Sequence, residues 1–91
     1  MTGPELEALL AASLVGNKYE LPLSCRVEAY PIGSGWGLWF ISDEFASWPA
    51  GKRSSRCHDF VVATLTPEDE KSIYSATGLT EAQVLARMSA A

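Results

Sequence analysis

Positive charge is scarce in this sequence. Seven Lys and Arg stand against eleven Asp and Glu, giving a formal net charge of −4 over 91 residues. A protein built to hold a phosphate backbone carries the opposite balance, so nucleic-acid binding would have to come from a local patch. Long apolar runs are also missing. The best candidate, Leu6 to Val15, is interrupted by Ser13 and stops at Gly16, short of the roughly 20 residues that cross a bilayer, and no membrane partner is expected. Histidine occurs once and cysteine twice. Cys25, Cys57 and His58 lack the paired spacing of a zinc site, so neither metal nor cofactor is expected. Cys57-His58-Asp59 has the residue types of a nucleophile, base and orienter, but consecutive residues on a strand point to opposite faces. No enzymatic activity is expected. Glu5 and Glu7 stand where a secretory leader carries Lys or Arg, which predicts a cytoplasmic protein with both thiols reduced.

What is present fits one domain, residues 1–91, with 47% hydrophobic and 20% charged residues. Thr2-Gly3-Pro4-Glu5 has the form of a capping box, and Leu6, Leu9, Leu10 and Leu14 recur at helical spacing. A helix is predicted over 4–15. From Leu21 the period becomes two, with Leu21, Leu23, Cys25, Val27 and Ala29 alternating with more polar partners, which predicts a half-buried strand. Pro31 to Gly35 is turn chemistry, and Trp36 to Ser42 reads as the second strand of a hairpin. The stretch 43–56 contains Pro49-Ala50-Gly51 and reads as a long loop; His58 to Leu65 reads as a third strand. Thr66-Pro67-Glu68-Asp69 should open a helix closed by Gly78, and Thr80 with Gln83 caps another. The predicted fold is α+β: an N-terminal helix, a three-stranded, mostly antiparallel sheet, and two short C-terminal helices packed on one face.

Two features stand out. Six of the nine aromatic residues (Tyr30, Trp36, Trp39, Phe40, Phe45 and Trp48) lie between positions 30 and 48. If Trp36, Leu38 and Phe40 face the core, the pleat sends Trp39 and Ile41 to the other side. Directly behind comes Lys52-Arg53-Ser54-Ser55-Arg56, so residues 51–58 sum to +3 while 1–50 sum to −4 and 59–91 to −3. Exposed aromatic area is the composition of an interface centre, and segregated charge beside it can steer a partner's approach. The expected function is a small non-enzymatic protein-binding module acting on a larger protein or complex, as monomer or homodimer. Trp39, Phe45 and Trp48 would anchor the contact, and Lys52, Arg53 and Arg56 would steer it.

The C-terminal segment offers another reading. Gly78 at a turn, Leu79 after it, the capping Thr80 and Val84 resemble a helix-turn-helix, which implies a DNA-binding transcriptional regulator using residues 67–88. In size, acidity and lack of a catalytic constellation the chain also resembles phage and mobile-element inhibitors of host machinery, the anti-CRISPR proteins among them.

Overall fold

Capping signals at both ends of the chain set the outermost helices. The computed structural model describes residues 1–89. Helix α1, Gly3–Ser13, starts as its sequence dictates: Thr2 Oγ1 accepts from the Glu5 N–H at 3.2 Å, and the Thr2 N–H donates back to Glu5 Oε1 at 2.8 Å. Helix α4, Glu81–Ser89, repeats the arrangement with Thr80 and Gln83. Between them lie β1 (Arg26–Ile32), β2 (Gly35–Ile41), a 3-10 helix (Asp43–Ser47), α2 (Ala50–Thr64), the single turn α3 (Pro67–Glu70) and β3 (Ile73–Leu79).

The fold is α+β, and its three-stranded sheet is mixed. Strand order is β1-β2-β3, with β1 antiparallel and β3 parallel to the central β2. The predicted hairpin is present, though the β1 ladder begins only at Arg26. The third strand is not His58–Leu65, which is helical. Cys57, Phe60, Val61 and Leu65 are buried together at helical spacing, so the predicted loop and strand are replaced by α2. Conversely, the cap at Thr66 is real, its Oγ1 accepting from the Asp69 N–H at 3.2 Å, but the helix lasts one turn. Ile73, Tyr74 and Thr77 favour extended backbone, and the segment completes the sheet instead. The helical pair of the helix-turn-helix reading is therefore absent from 67–88, because half of it is β3.

A helix between β2 and β3 is what allows them to run parallel, since a parallel neighbour needs a crossover. α1 packs against β1 and α2 against β3, both on one side of the sheet. The covering layer thus comes from these two helices and not from the C-terminal pair. Leu6 and Leu10 of α1 and its C-cap Leu14 meet Val27, Leu38 and Phe40 of the sheet and Cys57, Phe60 and Val61 of α2. A smaller cluster of Ile41, Leu79 and Val84, with Trp39 against it, lies on the other side and holds α4.

The α1–β1 connection is tied by one side chain. Asn17 Nδ2 donates to the carbonyls of Leu14 (2.8 Å) and Leu21 (3.0 Å), while its Oδ1 accepts from the N–H groups of Tyr19 and Leu21, each at 3.0 Å. This clamp holds Glu20 at φ 65°, a left-handed conformation that costs a non-glycine residue roughly 1–2 kcal/mol.

The two thiols are core groups. Cys57 is fully buried and Cys25 nearly so, and burial, which disfavours the thiolate, pushes both up from 9.0 to about 12. Because the folded value is the higher one, the stabilisation is complete below pH 9 and is lost as pH rises from 9 toward 12. Urea unfolding across that window should show the midpoint falling with pH. A Cys25→Ala, Cys57→Ala variant should show a shallower decline, and an equal slope would refute the assignment.

Candidate functional site

The pleat that buries Leu38 and Phe40 turns Trp39 outward, and the same parity turns out Arg26, Glu28 and Tyr30 on β1 and Ser75 and Thr77 on β3. Among the described residues no helix lies across this side apart from α4 at one end, where Val84 packs beside Trp39. Tyr30 leans across the sheet. Its ring centroid is 4.9 Å from that of Trp39 at an interplanar angle of 49°, and its hydroxyl is 3.1 Å from Ser75 Oγ. Gly37 makes this possible, because a Cβ there would enter the Tyr30 ring. Farther along, Tyr74 lies over Gly35, exposed, with its hydroxyl 3.0 Å from Ser34 Oγ. The result is an aromatic row, Tyr74, Tyr30 and Trp39, edged with hydroxyl groups.

Trp39 is half-buried and its indole Nε1–H, shielded from solvent, has no acceptor among the described residues. An unmet buried donor costs about 1–3 kcal/mol. Beyond Trp39, α4 extends the surface with Leu85 and Met88, each 65% exposed. The rim is ionic: Arg26 is hydrogen-bonded to Glu81 and, at 2.8 Å, to Glu28. The Glu81 contact first and the Glu28 contact second push the guanidinium's pKa still higher.

The other predicted residues gather around the start of α2. Phe45 is not a surface anchor; the 3-10 helix turns it inward, where it is fully buried and packs edge-on against Trp48 at 5.1 Å. Trp48 is half-buried, with Lys52 Nζ 4.4 Å from its ring centroid. Lys52 and Arg56 also face Glu20, at 3.5 and 3.6 Å. Arg53 donates to the Trp48 carbonyl at 3.2 Å and to Gln83 Oε1 of α4 at 2.7 Å. Trp48 and the three cations therefore form one group, joined to the end of the open face through the Arg53–Gln83 contact. Trp39 belongs to the face itself. Tyr30 was accessible to the same parity reasoning that placed Trp39, whereas Tyr74 was hidden by the helix assigned to its segment.

The structure does not bring the sulfur and imidazole groups into a cluster. Cys57 points into the core, while His58 and Asp59 are exposed on α2. No described helix is long and apolar enough to cross a membrane. Compared with known proteins, the chain matches no family model, no curated protein and no solved structure.

Proposed function

We propose that this chain is a small binding module that presents the open face of its sheet to another protein and has no catalytic role of its own. The observation that carries the reading is the aromatic row on the uncovered side, with the Trp39 indole held beside Tyr30 and Tyr74 exposed next to them. The partner's bulk would cover the aromatic row, which is how a Trp becomes a dominant contact. Leu85 and Met88 add apolar area beside it, and the Arg26–Glu81 and Arg26–Glu28 pairs form a polar rim. Lys52, Arg53 and Arg56 raise the local positive potential at the start of α2, beside Trp48, and would favour approach of an acidic partner surface there. Occlusion of a larger complex, as the resemblance to phage and mobile-element inhibitors implies, is one use of such a face.

The test is affinity capture from the native host with the wild-type protein and with Trp39→Ala and Tyr74→Ala variants, each checked for an unchanged fold. A partner retained by wild type should bind Trp39→Ala at least about thirtyfold more weakly, corresponding to a dominant contact of about 2 kcal/mol. Equal capture by all three proteins would defeat the proposal.

A further inference from the structure

The two edges of the sheet are finished differently. In an antiparallel pair alternate residues turn their N–H and C=O groups away from the neighbour. On β1 the outward N–H of Ala29 donates to Glu7 Oε2 of α1 at 2.8 Å, and Pro31 has no N–H to offer. Both devices keep an edge strand from recruiting another chain. β3 has neither. The Ser42 N–H donates to the Leu79 carbonyl at 2.9 Å, so Leu79, Thr77 and Ser75 direct their polar groups along the β2 side, leaving those of Ala76 and Gly78 on the outer side. Sheet pairing on that side is absent among the described residues. Gly78 lies under Phe45, and the half-buried Ala76 is the more accessible of the two.

The sequence of β3, Ile73-Tyr74-Ser75-Ala76-Thr77-Gly78-Leu79, contains no charge and no proline. Its ladder irregularity falls between Trp36 and Gly37, and pairing from Ser75 to Leu79 is regular. On α2, Lys52 and Arg56 face Glu20; helical spacing places Ser54, His58 and Val62 on the opposite flank, all exposed. Val62 is 48% exposed, giving an apolar contact near the edge.

We propose that the outer edge of β3 takes up an extended segment of a partner protein as a fourth strand, uncharged in the middle and basic at its ends. Main-chain hydrogen bonds to Ala76 would supply the pairing. Charge selects the ends: Glu68, Asp69 and Glu70 against Lys71 precede β3, and at its other end Asp43, Glu44 and Glu81 outnumber Arg26, which is paired with Glu81, and Arg53, which reaches Gln83. A second copy paired antiparallel about a two-fold axis would set the α3 carboxylates of one chain against Asp43 and Glu81 of the other, which is repulsive. This surface is the edge of the sheet, and the inference does not rest on the open-face reading.

The probe is a synthetic peptide of alternating valine and threonine with paired lysines at each end, compared with the same peptide ending in glutamates. The lysine peptide should slow hydrogen exchange at the Ala76 amide and bind about tenfold or more tightly than its glutamate counterpart. Ala76→Pro should weaken binding by about tenfold or more with the sheet intact, because the lost N–H is outside the ladder. If that variant fails to fold, wild-type exchange and a Val62→Lys variant, which should repel the lysine peptide, carry the test. Trp39→Ala should bind the peptide as wild type does, separating this edge from the open face. Absence of protection at Ala76 with saturating lysine peptide would overturn the inference, as would protection that appears without peptide and grows with protein concentration, the signature of a second copy.

Discussion

Replacing Phe45 with alanine should cost about 3–5 kcal/mol, the range for emptying a fully buried aromatic site. The ring is completely buried, sits on the backbone of Gly78 and supports Trp48 edge-on. By the usual 0.05–0.15 kcal/mol per residue, a chain of this length holds a total margin of about 5–14 kcal/mol, so one substitution removes a large part of it. Urea unfolding followed by tryptophan fluorescence reads both consequences. The midpoint should drop sharply, and emission should shift to the red as Trp48 loses its support. A loss below about 1 kcal/mol would show that Phe45 does not hold the 3-10 helix to the sheet.

Gly78→Ala should be destabilising in the wild-type background and harmless or favourable once Phe45 is gone. A Cβ at position 78 would lie 2.8 to 2.9 Å from three atoms of the Phe45 ring, closer than carbon atoms approach. Phe45 is fully buried and packed edge-on against Trp48, so the overpacking should cost about 1–3 kcal/mol. Alanine also restricts the unfolded chain more than glycine does, a gain of roughly 0.5–1 kcal/mol where the backbone is ordinary strand. In Phe45→Ala that gain remains and the clash disappears, so the sign reverses. Unfolding free energies of the four proteins in the cycle give the coupling directly; additive effects would mean that the two positions do not share one contact.

The contrast between these residues marks where the sequence was readable. Caps at Thr2 and Thr80, the β1–β2 turn and the outward placement of Trp39 follow from signals within a few residues of each other. α2 and β3 exchanged identities because local and long-range signals disagree there. Phe60, Val61 and Val62 have strand-like composition, and only the wider spacing of Cys57, Phe60, Val61 and Leu65 reveals a helical stripe. Downstream, the capping Thr66 and three acids announce a helix, yet a cap fixes where a helix starts and leaves its length to packing. In sequence Gly78 has the signature of a helix stop for the same reason, whereas its actual role, admitting the Phe45 ring, depends on a residue more than thirty positions away. Phe45 was misassigned as an anchor because composition shows an aromatic cluster but not which way a 3-10 helix turns each ring. Tyr74 joined the open face only once its segment was seen to be a strand.

The mixed sheet also dictates an order of assembly. β1 and β2 are joined by the short turn at Gly33-Ser34 and can zip together on roughly the microsecond scale of a hairpin. Pairing of β3 with β2 is the longer-range step, a closure of the chain around α2 that brings Leu79 back to Ile41 and is expected to be slower. Until then the free side of β2 is a bare edge carrying Trp36, Leu38, Trp39 and Phe40, within the longest uncharged stretch of the chain, 29–42. Refolding yield should therefore fall as protein concentration rises, with β2 the template on which unfinished molecules meet.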